Sequence, residues 1–169
     1  MNFDVTHPEV RDAIRRALAE DIGAGDITTN LCVPEGAMAT GRMTARQTLT
    51  LAGVELIEPI FEEMALGACL VQLHHLSGAR LHDGDAIAQV RGPARVLLTG
   101  ERTALNFVQR LSGVATVASA YVAAVAGTGC RILETRKTTP GLRRLEKMAV
   151  AAGCATRAGG FCCSLFLSL

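Results

Sequence analysis

Apolar residues return every three or four positions along several stretches of this chain and alternate along others, and that pattern predicts most of its elements. Val10, Ile14, Ala17 and Leu18 form one stripe, so the stretch after His7 reads as an amphipathic helix. Thr6 is placed to cap it, Pro8 suits its first turn, and Glu9 completes a capping box. Gly23 and Gly25 predict an end near Asp21. Residues 37–50 alternate partially and read as a strand. Val54, Ile57, Phe61 and Met64 share one face of a helix over 53–66, in which Pro59 predicts a kink or a split. Residues 69–75 and 86–90 read as strands, with Asp83-Gly84-Asp85 as a turn between them.

The second half of the pattern is helical. Residues 95–98 read as a short strand, after which Thr99-Gly100-Glu101-Arg102 opens a helix with Leu105, Val108 and Leu111 on one side. Ser112-Gly113 predicts a break, and 114–126 read as a small-residue helix able to pack closely on a neighbour. Arg131-Ile132-Leu133 is a short strand-like run, Pro140-Gly141 a turn signal, and 142–152 a further helix. The order is mixed α and β as far as residue 113 and then helix–strand–helix, the opening of a β/α repeat. A closed barrel of that kind takes about 250 residues. Only 56 residues follow Gly113, so the repeat is not completed within this sequence.

Residues 154–169 differ in character: they hold one base, Arg157, and no acid. They read either as a buried terminal strand or, better, as a tail translated out of frame.

Composition narrows the function classes. The 169 residues are 49% hydrophobic and 20% charged, enough to bury a core. A net charge of +1, no Trp and one Tyr give no electrostatic case for nucleic acid or an anionic membrane. No secretory leader or membrane-length apolar window is visible, so a cytoplasmic location is expected. The cysteines lack Cys-x-x-Cys spacing and are expected to be reduced thiols rather than zinc ligands. Glu20, Asp21 and Asp26 beside Gly23 and Gly25 read as loop-shaping residues, not a metal cluster. His74, His75 and His82 with Asp83 and Asp85 read as strand residues beside a turn.

The candidate chemistry lies in Glu134-Thr135-Arg136-Lys137-Thr138-Thr139-Pro140-Gly141-Leu142-Arg143, where a strand hands over to a helix. In α/β sheets and barrels that end of a strand is where ligands bind. Arg offers a planar fork to carboxylate or phosphate and Lys a point charge, so the pair asks for an anion. The chain has fifteen Arg and only two Lys, Lys137 and Lys147. A lysine kept inside the motif of an arginine-biased chain points to a specific role. Lys147, on the amphipathic helix, reads as surface.

This run closely resembles the quinolinate phosphoribosyltransferase family. Three more segments agree: Glu20-Asp21-Ile22-Gly23-Ala24-Gly25-Asp26-Ile27-Thr28-Thr29; Glu101-Arg102-Thr103-Ala104-Leu105-Asn106 with Leu111-Ser112-Gly113-Val114-Ala115-Thr116; and Leu145-Glu146-Lys147. The resemblance covers about residues 7–153 and identifies the chain as a truncated N-terminal part. It implies an α/β fold: an α+β open-faced sandwich over 1–113, the first part of an incomplete α/β barrel over 114–153, and the atypical tail. The implied reaction is phosphoribosyl transfer from phosphoribosyl pyrophosphate to the nitrogen of quinolinate, with Mg²⁺ and loss of the 2-carboxylate as CO₂. The product is nicotinate mononucleotide, on the de novo route to NAD. By the resemblance Thr135, Arg136, Lys137 and Thr138 bind substrate. Arg102 reaches the neighbouring site of a homodimer or larger assembly. Arg143 reads equally well as surface charge.

The Asn-His-Arg and Lys-Asp-Asn-His segments and the later acids that complete the family's site are absent from these 169 residues. No catalytic set is therefore complete, the Mg²⁺ ligands are missing, and this chain alone is expected to be inactive. A non-catalytic dimerising fragment and the homologue associated with molybdenum transport are the alternatives.

Overall fold

The computed structural model describes residues 3–130 and 132–155. The tail expectation and Arg131 of the predicted strand therefore lie outside the described residues, apart from the start of the tail at Cys154 and Ala155.

Helix α1 (Pro8–Ile22) buries Val10, Ala13, Ile14 and Leu18, the stripe its spacing predicts. Its cap is His7, not Thr6: the imidazole accepts from the Glu9 amide, while Thr6 turns its hydroxyl and amide to Asp4. The short helix α2 (Ile27–Cys32), which the apolar pattern does not announce, starts at Asp26. That carboxylate accepts from the Thr29 amide and hydroxyl at 3.0 and 2.7 Å, the local role expected of it. These bonds, with a smaller contribution from Thr99 and Arg102, hold the Asp26 carboxyl below its usual range.

The predicted strand at 37–50 is two strands, β1 (Met38–Thr44) and β2 (Leu49–Thr50). The helix expected over 53–66 splits into a 3₁₀ turn (Val54–Leu56) and α3 (Ile57–Met64). Pro59 then falls in the first turn of α3, where its missing N–H costs nothing. Strands β3 (Leu70–Leu73), β4 (Arg80–Leu81) and β5 (Ala86–Pro93) follow. β1, β5 and β3 form an antiparallel sheet in that order, with Gly41 opposite Val90 and Leu73 opposite Ala88; β2 pairs with β4. The sheet covers its helix side with Ile87 and Ala88 and leaves Met38 and Leu70 exposed on the other, an open-faced sandwich.

Helix α4 (Ala94–Ala124) corrects two expectations. Residues 95–98 are its first turn, not a strand: Arg95 donates to the carbonyls of Val33 and Asn30 at 2.9 and 3.1 Å, tying α4 to the end of α2. Nor does Ser112-Gly113 break it. The Ser112 hydroxyl accepts from the Ala52 amide at 3.0 Å and donates to its carbonyl at 3.3 Å. Thr116 donates to the Ser112 carbonyl and accepts from the Thr50 amide at 2.9 Å. Residues that would weaken an isolated helix are here its cross-ties to the sandwich, and tertiary contacts override propensity. The 31 residues make a rod about 45 Å long.

One core joins α1, α3, α4 and α5 (Arg143–Ala155) through Ile14, Ile60, Phe107, Leu111 and Leu145; a second joins the strands to α3 and α4 through Leu51, Ile57, Ile87 and Val108. Close approach of α5 to α4 needs Gly153, because a Cβ there would lie 2.2 Å from the Ala115 carbonyl oxygen. The predicted strand before the motif is reduced to a single bridge residue at Leu133. Among the described residues no helix is long and apolar enough to cross a membrane.

Candidate anion-binding site

The loop between α4 and α5 is built from a few local bonds. Thr139-Pro140-Gly141-Leu142 closes as a turn, with the Leu142 amide donating to the Thr139 carbonyl at 3.0 Å. Gly141 has φ +79°, the value the third residue of a type II turn requires, and Pro140 supplies the preset φ before it. Upstream, the Thr135 hydroxyl accepts from the Lys137 amide at 3.0 Å, and the Thr138 amide donates to the Arg136 carbonyl at 3.1 Å. The Thr138 hydroxyl lies 3.4 Å from Arg143 Nε. Arg136 and Lys137 are exposed, and neither side chain has a hydrogen-bond or ion-pair partner among the described residues.

Helix α5 grips this loop at two places. Glu146, only 8% exposed, accepts from the Thr139 amide at 3.1 Å and from its hydroxyl at 2.7 Å. Arg110 on α4 completes the pair, with Nη2 2.8 Å from the same carboxylate. Burial pushes the Glu146 carboxyl up, but the hydrogen bonds from Thr139 and Arg110 outweigh it and hold the group below its usual range. The next residue, Lys147, pairs with Glu134 ahead of the motif, so it is a half-buried partner and not the solvated charge its position suggested.

Arg102 sits elsewhere, on the first half of α4. Its Nε donates to both oxygens of Asp21 at 3.0 and 3.1 Å, and the side chain is 55% exposed. The bond to Asp21, reinforced by that carboxylate's charge, raises the guanidinium's proton affinity further. The acid it pairs with is Asp21 rather than the adjacent Glu101. The terminal nitrogens of Arg102 carry no hydrogen bond within the described residues.

Between these two places lies an open cleft of about 570 Å³ whose walls are α1, α4 and the turn at Pro140–Gly141. Asp21 and Arg110 line it, so the partner of Arg102 and the partner of Glu146 face one space; Arg102, Arg136 and Lys137 themselves are not in its lining. A separate hollow of about 290 Å³ between β1, α3 and α4 is lined mainly by apolar groups such as Phe61 and Leu97, away from the motif. The half-buried Cys69 has its thiol pushed up by burial, which makes it a poor nucleophile. Glu146 and Arg110 hold the loop, and periodicity does not single them out; the available signal is an acid in the first turn of the helix that follows the motif.

An open-faced α+β sandwich followed, beyond the long α4, by a loop that exposes two cations puts the chain in a mixed α/β class. Residues 26–112 match the family model for the quinolinate phosphoribosyl transferase N-terminal domain, and residues 114–160 match the model for its C-terminal domain. The chain belongs to the quinolinate phosphoribosyl transferase family. It is 45% identical over 155 residues to the nicotinate-nucleotide pyrophosphorylase [carboxylating] of Mycobacterium leprae, covering 90% of this chain and 55% of that protein. The probable enzyme of the same name from Bacillus subtilis is 38% identical over 149 residues, covering 88% of this chain and 51% of that one. The crystal structure of NadC from Streptococcus pyogenes superposes with a TM-score of 0.84 at 34% identity, over 90% of this chain and 53% of that chain. The chain thus spans about half the length of the relatives it matches. The two domain models meet within α4, which runs through residue 113 without interruption.

Proposed function

We propose that this chain supplies the sandwich and the first anion-binding loop of a quinolinate phosphoribosyltransferase. The observation that carries this reading is a pair of unpartnered cations, Arg136 and Lys137, on a loop whose ends are tied down. Quinolinate has two adjacent carboxylates, and phosphoribosyl pyrophosphate has phosphate groups. Both need cations fixed in advance, because a preorganised charge spends no energy reorienting as the anion arrives. Arg136 would take a carboxylate or phosphate through its planar fork and Lys137 would add a mobile point charge, with Thr135 and Thr138 shaping the backbone between. In the whole enzyme the reaction would join C1 of the ribose to the pyridine nitrogen, release pyrophosphate, and lose the 2-carboxylate as CO₂, giving nicotinate mononucleotide.

Among the described residues no group of three or more His, Cys, Asp or Glu side chains is arranged to hold a metal ion. The described residues do not fit Mg²⁺, and none of the roles proposed for Thr135, Arg136, Lys137 and Thr138 runs through it. The 169-residue polypeptide alone would bind the substrates' anionic groups without turning them over. A cytoplasmic setting belongs to the same proposal.

A second reading is a dimerising role, favoured by the uncommitted terminal nitrogens of the exposed Arg102. Held by Asp21 through Nε alone, that guanidinium would offer its outer edge to the site of a neighbouring copy. Calorimetry with quinolinate and with inorganic pyrophosphate, run beside an assay for nicotinate mononucleotide, tests the enzyme reading, and sedimentation tests the dimerising one. Binding without product is expected. Binding of neither anion would overturn the enzyme reading, including its distinction from the molybdenum-associated homologue.

A further inference from the structure

We propose that consecutive residues of α5, Glu146 and Lys147, clamp the two ends of the 134–139 segment, with Arg110 bracing the clamp from α4. The segment is thereby held open so that Arg136 and Lys137 project between the two grips. What the segment is held for rests on the proposed enzyme function; that it is held rests on geometry alone.

Lys147 fixes the entry through Glu134. The Thr139 amide and hydroxyl fix the exit on the Glu146 carboxylate, at 3.1 and 2.7 Å. Glu146 stands in the first turn of α5, and its own amide donates to the Leu142 carbonyl at 2.9 Å. The carboxylate is therefore fixed by the helix before it receives the loop. Arg110 donates to the same oxygen that accepts the Thr139 hydroxyl, with Nη2 at 2.8 Å and Nε at 3.3 Å. One carboxylate thus joins α4, α5 and the loop.

The polarity of the arrangement matters. Glu134 within the segment and Glu146 beside it are consumed by Lys147 and by Arg110 with Thr139. Neither is left to neutralise Arg136 or Lys137. Loop rigidity and an unquenched positive charge therefore come from the same bonds. Glu146, Lys147 and Arg110 are positioning residues: they act through the loop and need not touch an anion.

The test is amide hydrogen exchange of the whole chain without ligand, together with quinolinate titration, on Thr139→Val, Thr139→Ser and Glu146→Gln. A hydrogen bond to a charged group corresponds to a change of roughly 10-fold or more, so exchange across 135–139 should rise about 10-fold in Thr139→Val and Glu146→Gln while β5 amides keep their rates. Thr139→Ser keeps the hydroxyl and should recover most of the protection. Quinolinate affinity should fall in step with the lost protection. Equal loop exchange in all four proteins overturns the clamp. Increased exchange with unchanged affinity overturns its role in presenting Arg136 and Lys137. Should the parent chain bind no quinolinate, the functional reading falls, and the exchange rates still decide whether the clamp exists.

Discussion

Arg102 and the Arg136–Lys137 pair are the same kind of charge in two settings. Arg102 stands on a long helix and is already compensated by Asp21. Arg136 and Lys137 stand on a loop from which the neighbouring acids have been drawn away by Arg110 and Lys147. A paired cation can accept an anion only by sharing or exchanging its partner, whereas an unpaired one gains the full interaction. Under the proposed function the loop cations would capture an anion and Arg102 would be aimed at a neighbouring copy.

The sharpest way to break that contrast is to remove the loop charges. Arg136→Gln with Lys137→Gln should weaken quinolinate binding by about 100-fold or more, since each charge-assisted bond is worth roughly 1.5–3 kcal/mol. The melting curve should not move, because neither side chain holds the fold. Calorimetry and circular dichroism read the two halves of that expectation. A large loss of stability would show that the cations are structural.

The next largest effect concerns the support of the loop. Gly153→Ala puts a methyl against the Ala115 carbonyl and should destabilise by about 1–3 kcal/mol in urea titration, although alanine is the better helix former. Gly113→Ala is its control on α4. A Cβ there meets nothing within 4 Å, so stability should rise by about 0.5–1 kcal/mol. Equal effects at the two glycines would deny the tight contact between α4 and α5.

Glu146 gives a pH signature. Its folded carboxyl lies below the ordinary 4.5, so it contributes stability above that pH and loses it as pH falls through the folded value. Glu146→Gln should accordingly be less stable than the parent near neutrality, with the gap closing in acid. A gap that does not change with pH would mean the carboxylate charge is not what holds the loop. The smallest stability effect belongs to Arg102→Gln. An exposed ion pair contributes little to folding, so thermal unfolding should be nearly unchanged, while any quinolinate affinity that depends on association between copies should drop. Sedimentation with and without quinolinate separates those two outcomes.

What the sequence showed follows what each signal encodes. The Pro140-Gly141 turn was legible because residue type alone carries its geometry. The stripe of α1 was legible because one face is buried. Its cap was misassigned to Thr6 because Asp4 competes for the Thr6 hydroxyl, a contact that no helical period reveals. The false break at Ser112-Gly113 has a similar origin: the hydroxyl that lowers helix propensity is spent on Ala52, sixty residues away. Glu146 and Arg110 are not singled out by the sequence, because spacing says nothing of which acid faces which loop. That Arg102 pairs with Asp21 depends on how α1 packs against α4, which residue type does not show.

The most direct test of the central claim is a quinolinate titration of the isotope-labelled chain, following backbone amides by NMR. The amides of Thr135, Arg136, Lys137 and Thr138 should shift together and saturate, and in Lys137→Gln saturation should need about 10-fold more quinolinate. Shifts confined to other regions, none at all, or loop shifts that saturate at the same quinolinate concentration in Lys137→Gln would contradict the assignment of this loop as the anion-binding element.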